Sequence, residues 1–230
     1  MRIGVLVSGG GTNLQALIDK VHGKDGDIVL VLSDKDQAYG LERARKADIP
    51  AQWVPDTDNA GNRLSNEDYS AEMVRRLKAA GVELVVLAGY MKIIPASFVQ
   101  AFPDRIINIH PALIPSFCGA GYYGLHVHQA VIDYGAKLSG ATVHFVNEEA
   151  DAGPVIAQQA VAVLPEDTPE TLQARILEQA EHNLLPAVTK AICQGRVHRK
   201  GRTVFIDKET ETETEQNIQS GFQETQGENR

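Results

Sequence analysis

Short apolar runs recur along this 230-residue chain, separated by polar and amphipathic stretches. Residues 3–7 (Ile-Gly-Val-Leu-Val), 28–32 (Ile-Val-Leu-Val-Leu) and 84–88 are apolar almost throughout, the pattern of parallel strands buried on both faces. Residues 105–109 form a fourth run and 51–54 a shorter one. Residues 140–146 and 155–163 read as two further strands, interrupted by the segment Asn147 to Pro154. Asn13 to Val21, Tyr39 to Ala47 and Glu67 to Ala80 read as helices, the last closed by Gly81. Pro169 to Gln194 is a long helical stretch with acids early and Gly195 after it, and Arg196 to Ile206 suits a final hairpin. The alternation predicts an α/β fold: one doubly wound, mostly parallel, Rossmann-like sheet with helices on both faces. Such a sheet carries its chemistry at the carboxyl ends of its strands. The Pro-, Gly- and aromatic-rich loop 111–124 is long for a compact domain, which marks it as functional or mobile.

Composition narrows the function. Hydrophobic residues make up 43% of the chain, ordinary for a globular protein, and no apolar run approaches the ~20 residues that span a bilayer. Residues 3–7 are too short an apolar stretch for a signal peptide. Two cysteines, Cys118 and Cys193, make no disulfide framework and no zinc motif, so a cytoplasmic setting is expected. The net charge is −8, unsuited to binding nucleic acid by neutralising phosphates. Residues 208–230 hold six acids and two bases, so −4 of that charge sits there and −4 in the rest. The expected organisation is a catalytic domain over 1–206 and an acidic, disordered tail over 207–230 with no catalytic role.

Two segments carry chemistry. Ser8-Gly9-Gly10-Gly11-Thr12-Asn13 joins the first strand to the first helix. Glycines allow close backbone approach, and the helix start offers free N–H groups and a positive dipole end, so the loop suits a phosphate. It is not a P-loop, since no lysine follows, and Leu14 replaces the third glycine of a dinucleotide fingerprint, although Asp34 could mimic that fold's ribose-binding acid. A tight turn without a ligand is the bland alternative.

The second segment is Ile106-Ile107-Asn108-Ile109-His110. Strand alternation turns Asn108 and His110 to one side, at a strand's carboxyl end. An amide donor beside an imidazole suits acyl transfer: Asn108 donates to a developing oxyanion and His110 moves a proton. Asp151, in a turn made by Gly153 and Pro154, is the carboxylate expected to raise the His110 pKa. The alternative is that Asn108 and His110 merely stabilise a strand end. His144, in a strand pattern, reads by itself as a core histidine.

Taken together, SGGGTNL (Ser8 to Leu14), VLAGYM (Val86 to Met91), NIHPALIP (Asn108 to Pro115), TVHF (Thr142 to Phe145), DAGPV (Asp151 to Val155) and Glu181-His182 resemble the phosphoribosylglycinamide formyltransferase family, folate-dependent enzymes of purine biosynthesis. The likeness covers about residues 1–200. It implies formyl transfer from 10-formyltetrahydrofolate, a cosubstrate, to the amine of glycinamide ribonucleotide. No metal, nucleic acid or membrane partner is implied, and oligomeric state is not indicated. The resemblance makes Asn108, His110 and Asp151 the catalytic set and Gly11, Thr12, Asn13 and Glu181 the acceptor's contacts. It makes Met91, Lys92, Ile93 and Ile94, with Asn108 and Asn147, Glu148, Glu149, Ala150 and Asp151, the folate pocket.

Three features depart from the family pattern. Asn66 precedes Tyr69 where an arginine is usual nearby, and the nearest base is Arg63. The loop after Pro115 is longer, a possible lid. Glu178 to His182 carries one extra residue. Rival readings are a formyltetrahydrofolate hydrolase, a formyltransferase for tRNA or a sugar nucleotide, and a non-catalytic nucleotide binder.

Overall fold

The computed structural model describes residues 1–208. The expected acidic tail lies, apart from Asp207 and Lys208, outside the described residues.

Seven strands form one sheet: β1 (Arg2–Val7), β2 (Asp27–Ser33), β3 (Ala51–Trp53), β4 (Leu84–Leu87), β5 (Ile106–His110), β6 (Leu138–Phe145) and β7 (Val155–Ala162). Their order is β3-β2-β1-β4-β5-β6-β7. Pairing is parallel from β3 through β5 and antiparallel for β5–β6 and β6–β7, so the mostly parallel, doubly wound expectation holds. A hairpin of β8 (Val197–Lys200) and β9 (Thr203–Ile206) closes the described chain.

The helices are α1 (Thr12–Lys20), α2 (Tyr39–Lys46), α3 (Asn66–Ala79), α4 (Ala96–Ala101), α5 (Leu125–Tyr134), α6 (Pro169–Ile176) and α7 (His182–Cys193), with a π-turn (Leu177–Glu181) joining the last two. Strand alternation divides the core into two layers. Ile3, Val5 and Val7 pack with Leu14 and Leu17 of α1 and Leu185 and Val188 of α7. Leu6 packs on the other side with Tyr69, Met73 and Leu77 of α3 and Phe98 of α4. Each such fully buried side chain contributes roughly 1.5–3 kcal/mol by leaving water, which is why the strands carry unbroken apolar runs. On β5, Ile107 and Ile109 join the first layer and Ile106 the second. Asn108 and His110 therefore share the Ile106 face.

Local sequence sets the helix starts. Ser65 caps α3 by accepting from Asp68 N at 3.0 Å. Thr168 and Thr171 form a capping box at α6, with Pro169 in its first turn. Two helices escaped the sequence reading. The six residues of α4 are too few to show a period. Helix α5 buries only Val127, His128 and Val131, and a histidine within so narrow a stripe hides it.

The order of strands reverses between β1 and β4, and the crevice at their carboxyl ends is the switch point where such sheets bind ligands. Ser8, just after β1, donates its N–H to Gly89 O (3.1 Å) and accepts from Met91 N on its hydroxyl (2.9 Å). These bonds tie the glycine loop to the loop after β4. Among the described residues no helix is long and apolar enough to cross a membrane.

Candidate active site

One wall of the crevice is the glycine loop. Gly11 is the N-cap of α1 with φ 68°, and no side chain caps that helix. A Cβ on Gly11 would stand 2.6 Å from Gly40 Cα, so only glycine lets the loop close onto α2. Among the described residues nothing accepts from the N–H groups of Gly10, Gly11, Thr12 or Asn13. Four free donors at a positive helix end make an anion cradle.

Asn13 turns inward. It is 5% exposed, donates Nδ2 to Glu181 Oε2 at 2.6 Å, and leaves Oδ1 unpartnered. Glu181 ends the π-turn. A π-turn widens a helix locally, and this one ends on the carboxylate that meets Asn13. Burial pushes the Glu181 pKa up to about 7, opposed by the Asn13 bond.

Across the crevice stand Asn108, His110 and Asp151, which the structure brings together as the sequence suggested. His110 Nδ1 lies 3.5 Å from Asp151 Oδ2, and Asn108 Nδ2 lies 3.5 Å from Asp151 Oδ1. Asp151 sits at φ 52° in the turn after β6. The turn is held tightly: a Cβ on Gly153 would fall 1.7 Å from Phe145 O, so no other residue fits there. The loop 111–124 reaches into the same cluster. Phe117 O accepts from His110 Nε2 at 2.8 Å, and Gly119 N donates to Asp151 Oδ2 at 2.9 Å. A carbonyl oxygen only accepts, so the proton of neutral His110 sits on Nε2 and Nδ1 is the basic nitrogen facing Asp151.

Asp151 acts on His110 in the expected direction, but burial outweighs it. Burial lowers the His110 pKa below its ordinary value; the Asp151 charge and the Phe117 carbonyl oppose this without overcoming it. Burial therefore favours the neutral, basic form of His110 over the imidazolium. For Asp151, burial pushes the pKa up, but bonding to His144, the nearby His110 and the Gly119 N–H together leave it below the ordinary carboxylate value. Cys118 donates weakly to Pro115 O (3.3 Å), and burial raises its pKa, so it is no thiolate nucleophile.

Met91 and Ile93 are well exposed on the loop after β4, while Ile94 packs onto the α3 layer. Lys92 Nζ stands 4.0 Å from the Tyr69 ring centroid and 3.5 Å from Asp56 Oδ2. Arg63 turns to the same Asp56 at 3.9 Å with its side chain 84% exposed. Asn66 donates to Ile93 O at 3.3 Å, tethering the start of α3 to this loop. Asn147 has a buried, unpartnered Oδ1, whereas Glu148, Glu149 and Ala150 are exposed on the rim.

Two histidines were undervalued from sequence. His144 is buried, as a core residue would be, yet its Nε2 is 3.2 Å from Asn108 Nδ2 and 3.6 Å from Asp151 Oδ1. Its Nδ1–H donates to Phe145 O at 2.9 Å, which fixes the ring with Nε2 between the Asn108 amide and the Asp151 carboxylate. The signal lay in pairing: Asn108 and His144 are partners across antiparallel β5 and β6, a register no local pattern reveals. His128 of α5 is fully buried with neither ring nitrogen partnered.

The model of the family described as "Formyl transferase" matches residues 1–189. The chain is 46% identical over 202 residues to the chloroplastic phosphoribosylglycinamide formyltransferase of Arabidopsis thaliana, covering 85% of this chain and 66% of that protein. It is 43% identical over 208 residues to the phosphoribosylglycinamide formyltransferase of Haemophilus influenzae, covering 90% and 93%. Glycinamide ribonucleotide transformylase 1 from Symbiobacterium toebii superposes with a TM-score of 0.82 at 43% identity, covering 90% and 94%. The fold is that of this enzyme class, and the chain belongs to the formyl transferase family.

Proposed function

We propose that this protein transfers the formyl group of 10-formyltetrahydrofolate to the amine of glycinamide ribonucleotide, as a cytoplasmic enzyme of purine biosynthesis. The observation that carries this reading is that an anion cradle after β1 and an acyl-transfer cluster on β5 lie at the carboxyl ends of two strands that flank β4 in one sheet. A hydrolase using water as acceptor has no need of the cradle.

The roles follow from the atoms. The acceptor's phosphate takes the N–H groups of Gly11, Thr12 and Asn13, with Glu181 contacting its polar body. Met91 to Ile94 and Asn147 to Asp151 flank the folate. When the amine attacks the formyl carbon, a C–N bond forms and the carbonyl oxygen gains negative charge. Asn108 Nδ2, only weakly engaged with Asp151 at 3.5 Å, turns a hydrogen to that oxygen. His110 Nδ1 accepts the amine proton, and the Asp151 carboxylate stabilises the imidazolium. The proton then passes to the departing folate nitrogen as its bond to the formyl carbon breaks. No metal enters this chemistry. The direct test is product analysis by mass spectrometry after mixing both substrates with enzyme. Formylated glycinamide ribonucleotide supports the reading; free formate alone refutes it.

A further inference from the structure

Helix α2 does more than cover the glycine loop. Gly40 N donates to Gly9 O at 3.0 Å, and Arg43 Nε donates to Gly10 O at 2.8 Å. In a trans peptide the N–H points opposite to the preceding carbonyl. With both carbonyls drawn towards α2, the N–H groups of Gly10 and Gly11 are turned the other way, into the cradle. Arg43 itself is held from two more directions. Its Nη1 donates to Gln15 Oε1 at 3.1 Å, and its guanidinium carbon lies 5.0 Å from the Tyr39 ring centroid. All these partners are uncharged, and neighbouring Glu42 pairs with Arg45 instead. A fixed guanidinium with no carboxylate partner among the described residues therefore sits directly behind the cradle, next to Gly11: a Cβ there would be 3.5 Å from Arg43 Cδ.

We propose that Arg43 is a positioning residue for the acceptor's phosphate, holding the Gly10–Gly11 peptide with the Gly11 N–H towards the anion and adding a positive charge beside it that no carboxylate among the described residues pairs. The inference rests on the reading of the loop as a phosphate site. Arginine suits both tasks, since its planar fork bonds a carbonyl and an amide oxygen at once while keeping its charge. Sequence alone did not mark it, because Arg43 lies 33 residues from Gly10 on a helix whose charged face looks like ordinary solvated surface.

The test compares Arg43→Gln and Arg43→Lys with the wild type, using inorganic phosphate as a probe alongside steady-state kinetics. Arg43→Gln is expected to raise the KM for glycinamide ribonucleotide and the inhibition constant of phosphate together, by roughly tenfold or more. Both kcat and the folate KM should stay within about twofold, the mark of lost ground-state binding. Arg43→Lys, with charge but no fork, should fall between. Unchanged phosphate inhibition and acceptor KM in Arg43→Gln would overturn the inference. So would parallel losses in kcat, folate KM and melting temperature, which indicate a structural prop. Should the wild type not use glycinamide ribonucleotide, phosphate binding followed by calorimetry still decides the role of Arg43 by itself.

Discussion

His110 Nδ1 faces Asp151 Oδ2 at 3.5 Å while its Nε2 donates to Phe117 O at 2.8 Å, so the imidazole is held through Nε2 with its basic nitrogen towards a carboxylate. Burial makes this ring a poor cation, and Asp151 partly offsets that cost. Proton uptake is thereby postponed to the moment of reaction, when a new positive charge meets a negative one already in place.

Removing the ring should therefore remove the proton acceptor. His110→Ala is expected to lower kcat by at least about 10²-fold, the usual scale for a general base. Turnover near wild type would exclude the assignment.

Asp151→Asn tests the electrostatics separately. The Asp151 charge raises the His110 pKa, so its loss should lower that pKa further. If neutral His110 is the active form, the acid limb of the kcat/KM profile then moves to lower pH, with reduced kcat throughout. An unshifted limb would show that Asp151 does not act through His110.

Glu181 makes stability fall with rising pH. Its folded pKa is about 7, above the ordinary 4.5, so between those values the folded state binds the extra proton. Stability is therefore lost as pH rises from about 4.5 to 7, by roughly 3 kcal/mol at most. Glu181→Gln, which cannot ionise, should gain melting temperature relative to wild type at pH 8 but not at pH 4, two values chosen about outside that window. Equal differences at both values would place the Glu181 charge in water.

His128 has the opposite sign. Burial, then the nearby His110, lowers its pKa to about 4, while the unfolded chain keeps an ordinary histidine. The unfolded state binds the extra proton in between, so stability is lost as pH falls from about 6.5 to about 4. His128→Gln should flatten that slope in denaturant titrations. A slope identical to wild type would mean that the ring is hydrated in the folded state.

The sheet was legible because buried parallel strands are written as apolar runs, as at Ile3 to Val7 and Leu84 to Leu87. Asn108 and His110 were legible because alternation along one strand needs no tertiary knowledge. Asp151 was legible only as a turn acid; its contact with His110 depends on Gly153 packing against Phe145 O. His144 and Arg43 were not legible as site residues, since each reaches the site through another element, β6 against β5 and α2 against the glycine loop. Nor did local pattern show that burial outweighs Asp151 at His110, because desolvation is a property of the assembled fold.

The central claim is that the cradle and the acyl-transfer cluster serve one reaction with a phosphorylated amine as acceptor. The most direct measurement follows the absorbance change of 10-formyltetrahydrofolate with and without glycinamide ribonucleotide. The expected result is turnover that requires the acceptor and is competitively inhibited by phosphate. Turnover at the same rate without the acceptor would contradict the account and make water the true acceptor.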